Sequence, residues 1–409
     1  MPNLHKHQKQ VASSAPNRYG LWLKMGVGKT AVALELAKSK GEIPLIVCPK
    51  SLKENWYREC KMWGVEDHII MTKEEFRRDW DKLRECNFII FDEYHYQLGI
   101  KSQMYKNSVA FLSKHQPEYI YALTATPFLS TPWNVYCAEK LLGHMPSYKY
   151  YKETFFNRVP MGFMTLKSGK KVRRMIDVPN KKNYHLLVKR LNEIGITMTM
   201  AEVVDVPEYT FIREDFELNT EQKIAISELT DTVPIAYYTR AFQIENGTLK
   251  SDGYGEDLYF KSEKFNRTLE LIRDNEKLIV VCHHNLEIER FKKEIKDKNV
   301  LTITGQTKGK DRQGIIDFAN ASGNCVLIIN AAICEGLNLP TFQLIVFYSM
   351  SWSITHREQM EGRNQRIVDL RKNTYIDMVV GGGVDEAVYD CIKEKKSFSA
   401  EIYAKENKI

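Results

Sequence analysis

The sequence predicts an α/β protein in which a parallel sheet flanked by helices occurs twice along 409 residues. Three observations carry that expectation. Short apolar runs rich in Val and Ile recur between polar or turn residues, the pattern of strands buried on both faces of a parallel sheet. Segments of helical period, such as Ala31 to Lys38 and Leu286 to Ile295, lie between the runs, and this alternation points to a helix-wound parallel sheet. The rhythm occupies residues 1–145, fails across 146–260 and resumes over 261–409. A chain longer than ~250–300 residues also exceeds what one core serves.

In chain order, the expected strands are Ile43 to Cys48, Phe88 to Phe91, Tyr119 to Leu123, Leu278 to Cys282, Val300 to Ile303, Cys325 to Ile329 and Leu344 to Tyr348. The stretch 146–260 reads as an insert or linker rich in Lys, Arg, Tyr and Thr. Within it, Lys167-Ser168-Gly169-Lys170 forms the turn of a hairpin whose arms are Gly162 to Leu166 and Lys171 to Ile176. A polar helix is expected from Glu386 to Asn407.

Composition is ordinary for a globular chain, with 43% hydrophobic and 27% charged residues. No apolar stretch reaches the ~18 residues of a membrane helix, and Met1 to Lys6 lacks an apolar leader core. The eight cysteines show no metal-ligand spacing, which fits buried thiols in a reducing, cytoplasmic setting. A formal charge of +7 is compatible with a nucleic-acid partner.

Gly26-Val27-Gly28-Lys29-Thr30 precedes a helical run. Glycines let backbone N–H groups approach phosphates, a lysine reaches the outer phosphates, and a Thr hydroxyl ligates Mg²⁺. Phe88 to Phe91 ends in Asp92-Glu93-Tyr94-His95. An acid at the C-terminal tip of a parallel strand is placed to hold Mg²⁺ and to handle an attacking water. Asp92 takes the first role, with Thr30, and Glu93 the second. Leu123-Thr124-Ala125-Thr126-Pro127 closes a third run with small hydroxyl residues on a turn.

In this order the three segments resemble motifs I, II and III of superfamily 2 helicases. Leu45 to Leu52 followed by Asn55-Trp56, and Asn134 seven residues after Pro127, are similar to the Snf2-like branch. His7-Gln8 resembles its glutamine motif, which implies that Gln8 reads the adenine edge. Leu23-Lys24 departs from the branch, which carries Asp-Glu there; a surface contact is expected to change, and the phosphate chemistry to stay. Gln359 to Arg366 resembles motif VI, so Arg363 and Arg366 are the candidate arginine fingers, three apart on one helix face. Ala331 to Leu339 resembles motif V, with Gly336 and Asn338 on the nucleotide side. Thr304, in the segment before it, matches a position that touches the tracked strand. Trp352 matches a Trp of relatives and either touches nucleic acid or packs. Thr197 to Val206 resembles the entry to the second lobe but has Met-Thr-Met where relatives carry paired basic residues.

The resemblance covers residues 4–145 and 262–395. It implies two tandem RecA-like lobes around a basic insert, using ATP and Mg²⁺ to move on DNA and remodel forked or branched duplex. Alternatives are a duplex translocase that displaces proteins, an RNA helicase, or a nucleotide-gated clamp. A monomeric motor of phage or bacterial type is expected, without a membrane partner. Lys167, Lys170, Lys171, Arg173 and Arg174 give the hairpin cations for phosphates, with Met161, Phe163 and Met164 as apolar neighbours; a solvated surface hairpin is the other reading.

Overall fold

The computed structural model describes residues 2–127, 131–165, 171–205, 207–231, 233–251, 253, 255–334, 336–364, 371–400 and 403–404. The chain divides into two compact units, Met1–Asp205 and Val206–Ile409.

In the first unit the strands are β1 (Arg18–Leu23), β2 (Pro44–Cys48), β3 (Ile69–Thr72), β4 (Phe88–Asp92), β5 (Tyr119–Leu123), β6 (Phe156–Thr165), β7 (Lys171–Pro179) and β8 (Gly195–Met198). The helices are α1 (Lys6–Ser14), α2 (Lys29–Lys40), α3 (Lys53–Trp63), α4 (Lys73–Asp79), α5 (Gln103–His115), α6 (Pro132–Leu141), α7 (Tyr148–Phe155) and α8 (Tyr184–Ile194). Six strands form a parallel sheet in the order β3-β2-β4-β5-β1-β8. Every residue of β2 and β4 is buried, because helices cover both faces. Burying each large apolar side chain, such as Phe88 and Phe91, contributes about 1.5–3 kcal/mol. The tips of these strands are thereby held rigidly, which matters for the acids that follow β4.

Trp22 closes the sheet on its β8 side. Its ring lies so tightly over Gly20 and Gly195 that an added Cβ would fall 1.9 and 2.2 Å from ring atoms. Its indole N–H donates to Leu191 O at 3.1 Å, and the ring stacks on Tyr94 with centroids 4.8 Å apart. Glycine is needed at both positions because only a bare backbone admits the ring.

In the second unit the strands are β9 (Thr210–Phe216), β10 (Thr248–Leu249), β11 (Leu258–Tyr259), β12 (Lys277–Cys282), β13 (Asn299–Ile303), β14 (Cys325–Asn330), β15 (Leu344–Phe347) and β16 (Thr374–Val380). The helices are α9 (Thr220–Ser227), α10 (Pro234–Glu245), α11 (Glu263–Asp274), α12 (Asn285–Glu294), α13 (Gly309–Ala321), α14 (Ile354–Glu361) and α15 (Val384–Lys393). A second parallel sheet runs β13-β14-β12-β15-β16-β9. Among the described residues, no helix is long and apolar enough to cross a membrane.

The stretch 146–260 differs from the expected insert. It divides between the units, and its strands β8 and β9 each add an edge to one of the two sheets. Both are short or polar edge strands, so they lack the continuous apolar run of an inner strand. The hairpin is present as β6 paired antiparallel with β7, and its arms extend back to Phe156 and on to Pro179. A bulge between Pro160 and Phe163 puts one extra residue on β6, where proline has no N–H to give to the ladder. The expected helix from Glu386 to Asn407 is also corrected. It begins at Val384, ends at Lys393 and is amphipathic, burying Val388, Tyr389 and Ile392. Lys395 then takes a positive φ of 57° and turns the chain, so that Phe398 N can donate to Trp352 O.

A buried polar network crosses the second unit. Lys264 Nζ donates to Asn246 Oδ1 (2.6 Å) and Asp385 Oδ2 (2.7 Å). Glu245 accepts from the backbone N–H of Val384 and Asp385. Glu287 accepts from Ser349 Oγ and His284 N. Burial pushes Glu245 and Glu287 each up to about 7; repulsion from Asp385 is the next cause at Glu245, whereas at Glu287 the Ser349 and His284 hydrogen bonds oppose the rise. Between pH 4.5 and 7 the folded state therefore holds protons that the unfolded chain releases, and stability falls as pH rises through that window. His283 and His284, depressed by burial to about 4 and about 3, give the opposite slope below pH 6.5. Replacing Glu287 with Gln removes one falling contribution. Relative to the parent, the variant should gain about 2 kcal/mol between pH 5 and pH 8, since one pKa unit is worth ~1.4 kcal/mol. Urea unfolding at the two pH values reads this directly; a pH-independent difference would refute it.

Candidate active site

The phosphate-loop segment leaves β1 and enters α2. Gly26 and Gly28 have φ of 78° and 95°, a left-handed backbone that favours glycine. A Cβ on Gly28 would lie 2.0 Å from Gln8 Nε2. Gln8, buried on α1, donates from that nitrogen to Val27 O at 3.1 Å, and His7 Nε2 lies 3.0 Å from the same oxygen. Gln8 Oε1 accepts from His5 N. The glutamine therefore braces the loop from beneath. Lys29 is the first residue of α2, and its Nζ donates to Leu23 O at 2.8 Å. Thr30 follows it, half-buried. The Leu23-Lys24 departure falls on one buried and one exposed position. Leu23 is fully buried as the last residue of β1, and Lys24 N donates to Met198 O on β8.

Asp92 ends β4, and β5 lies between β4 and β1 in the sheet. Asp92 Oδ2 accepts from the indole N–H of Trp56 at 2.7 Å, and Oδ1 accepts from Glu93 N at 2.9 Å. Burial, then the charge of Glu93, push the Asp92 carboxyl up to about 7, while the Trp56 hydrogen bond and the Lys29 charge oppose that rise. Glu93 has a φ of 46°, which turns its side chain away from the strand line. Its Oε2 accepts from Thr124 Oγ1 at 3.4 Å and lies 3.3 Å from His95 Nδ1. Thr124 Oγ1 in turn accepts from Thr126 N. Tyr94 OH donates to Pro127 O at 3.0 Å. The segments after β4 and β5 are thus joined by a short polar chain around one carboxylate.

Lys29, Thr30, Asp92, Glu93 and Thr124 all lie at the C-terminal edge of one parallel sheet. Ligands of open α/β sheets bind at this edge. The cradle of backbone at Gly28, the lysine and two carboxylates suit a nucleotide with a divalent cation. Asn134 has a different place: it caps α6 by bonding Thr131 N and donates to Leu98 O, which is structural work. Sequence reading singled out Trp56 only as part of a motif and missed its bond to Asp92. It also missed the contact of His95 with Glu93.

In the second unit, Gly336 has a φ of 75°, and Asn338 is exposed at the end of the same loop. Arg363 is not on the helix expected for it. α14 ends at Glu361, and Leu339 N donates to Arg363 O at 3.1 Å. Asn364 Nδ2 donates to Phe342 O and its Oδ1 accepts from Tyr375 OH. These bonds tie residues 363–364 to the loop after Gly336 and draw them off the helical path. Arg366 lies outside the described residues. Arg357, one helical turn before Glu361, is buried against Asp377 and Glu361 and lies over the Phe347 ring; it holds α14 to the sheet.

The Trp352 ring is packed among Phe242, His283 and Phe398. The Thr304 hydroxyl accepts from Gln306 N within a turn. Lys171 and Arg173 are exposed on β7. Lys167 and Lys170 lie outside the described residues, as do the side chains of Arg174, Phe163 and Met164.

Two parallel six-stranded sheets flanked by helices define tandem RecA-like lobes. Residues 263–368 match the model described as the helicase conserved C-terminal domain, so the second lobe is of helicase type. The chain is similar to the CHD3-type chromatin-remodeling factor CHR7 of Arabidopsis thaliana, at 23% identity over 91% of its own length and 34% of that protein. It is 22% identical, over 72% of its length and 55% of the relative, to L364 of Acanthamoeba polyphaga mimivirus, provisionally named an ATP-dependent RNA helicase. A segment covering 29% of the chain is 30% identical to 13% of the SWI/SNF-related matrix-associated actin-dependent regulator of chromatin subfamily A-like protein 1 of Bos taurus. The chain spans about a third of the first relative and about half of the second. Together these matches liken the chain to a helicase and to chromatin-remodelling factors, with the helicase-type domain matched in the second lobe.

Proposed function

We propose that the chain is an ATP-driven motor that translocates on DNA and remodels forked or branched duplex. The observation that carries this reading is the gathering of Lys29, Asp92 and Glu93 at one sheet edge, in a chain whose second lobe matches a helicase domain. The loop Gly26 to Thr30 would hold the phosphates, Thr30 and Asp92 would hold Mg²⁺, and Gln8, with its amide engaged by Val27 O and His5 N, braces that loop. Mg²⁺, when bound, neutralises charge on the phosphate oxygens. Glu93 accepts a proton from, and orients, the attacking water. Thr124 and His95 keep its carboxylate aimed. Gly336, Asn338, Arg363 and Arg366 are the second lobe's contribution to nucleotide turnover.

The hairpin, with Lys167, Lys170, Lys171, Arg173 and Arg174, engages the branched substrate through its phosphates. Thr304 is the further nucleic-acid contact. Trp352 is a weaker candidate, because its ring is occupied by packing. The free cysteines fit action in a reducing cytoplasm, and a monomer in a phage-like branch-migration role is the simplest form of this motor. RNA is the second reading, favoured by the name of the mimivirus relative; the chromatin names of the other two favour DNA.

Steady-state ATPase with single-stranded, duplex, forked and four-way-junction DNA, and with RNA, tests the reading at one fixed salt concentration. Forks and junctions should stimulate most, and a Lys171→Ala/Arg173→Ala double variant should lose several-fold of that stimulation while keeping its basal rate. Stronger stimulation by RNA overturns the substrate. Stimulation by plain duplex alone favours the protein-displacing translocase.

A further inference from the structure

We propose that Trp56 is a positioning residue that sets the Asp92 carboxylate for the divalent cation. This deepens the reading above and rests on it. Trp56 lies on α3, one turn after Lys53, and is buried together with Cys60 and Trp63 along one face of that helix. Lys53 pairs with Glu75 at 2.8 Å, and Glu75 closes the capping box of α4, so the start of α3 is anchored as well. The indole is therefore held on both sides of the bond it makes.

That bond is specific in polarity. Indole has a donor and no acceptor, so it favours the ionised carboxylate. With Trp56 on Oδ2 and Glu93 N on Oδ1, donors from two different elements hold both oxygens. Rotation of the carboxylate about its own axis would break both bonds. A carboxylate has about four lone-pair directions, so two remain for a cation and its water. A buried indole could satisfy its N–H on any nearby carbonyl, as Trp22 does with Leu191 O. Trp56 instead spends it on the carboxylate at the tip of β4. Partners of this kind, one bond removed from a metal, typically change metal affinity 10–100-fold.

The test uses Trp56→Phe, which keeps an aromatic ring and removes the donor, and Trp56→His, which restores an N–H. The readout is binding of a fluorescent ADP analogue in EDTA and across a Mg²⁺ titration, with thermal unfolding alongside. The expected result is unchanged affinity in EDTA, a roughly tenfold higher half-saturating Mg²⁺ in the Phe variant, and partial return in the His variant. Equal Mg²⁺ dependence in all three proteins overturns the proposal. So does failure of both variants to fold, which would make the bond structural. Failure of the underlying reading looks different: the parent protein would show no Mg²⁺-dependent nucleotide binding, or Lys29→Ala would keep its turnover.

Discussion

Lys29→Ala is expected to lower ATP turnover by at least ~10²–10³-fold, the range seen when one preorganised donor to developing charge is removed. The expectation follows from where Lys29 sits. It is the first residue of α2, directly after the left-handed Gly28, and its ammonium reaches back to Leu23 O across the loop. The ammonium therefore lies at the loop's own mouth, where phosphates are held by backbone N–H groups and the helix N-terminus. Lys29 is only half-buried, and alanine is the best helix former, so the helix itself should persist. Unfolding temperature should thus change by no more than a few degrees. Turnover within tenfold of the parent, in a folded variant, would remove Lys29 from the proposed role.

Glu93→Gln should separate binding from hydrolysis. Gln keeps the size of the side chain and can still meet Thr124 Oγ1, but it cannot take a proton. A positioned general base contributes about 10²–10⁴-fold, so single-turnover hydrolysis should fall by that factor while nucleotide affinity stays within threefold. The environment makes the substitution clean. Glu93 is turned by its φ of 46° out of the strand direction, and its Oε2 lies near both Thr124 Oγ1 and His95 Nδ1. A Gln variant that hydrolyses at the parent rate would assign the water to another group, and Asp92 would be the next to examine.

The inner strands other than β1 and β16 were legible because two helix layers bury both of their faces. Phe88 to Asp92, Cys325 to Asn330 and Leu344 to Phe347 are apolar almost throughout for that reason. Of the edge strands, β13 was read from Val300 to Ile303, whereas β3, β8 and β9 were not legible. β9 carries Arg213, Glu214 and Asp215 and has one side to solvent, so no run of hydrophobes marks it. β8 is four residues long, and its first residue is a glycine chosen by the Trp22 ring rather than by strand preference. Reading 146–260 as an insert followed from these two omissions. The end of α14 was hidden for another reason. Gln359 to Arg366 has helical spacing, but hydrogen bonds from Leu339 and to Phe342, about 20 residues away in sequence, take Arg363 and Asn364 off that path.

The order of the chemistry was written in the chain itself: Lys29 and Thr30 after a glycine pair, and Asp92-Glu93 at the end of a buried run. Such signals are local, because a left-handed turn needs glycine and a strand tip needs only the strand before it. Tertiary structure alone decided how those groups are held. The Trp56 bond to Asp92 spans 36 residues of sequence, and Gln8 braces Val27 across 19. Glu93 meets Thr124 from a neighbouring strand. Each of these depends on helix phase, strand order and the depth at which a side chain is buried. Packing of the whole unit sets those quantities, and no residue carries them in its neighbours along the chain.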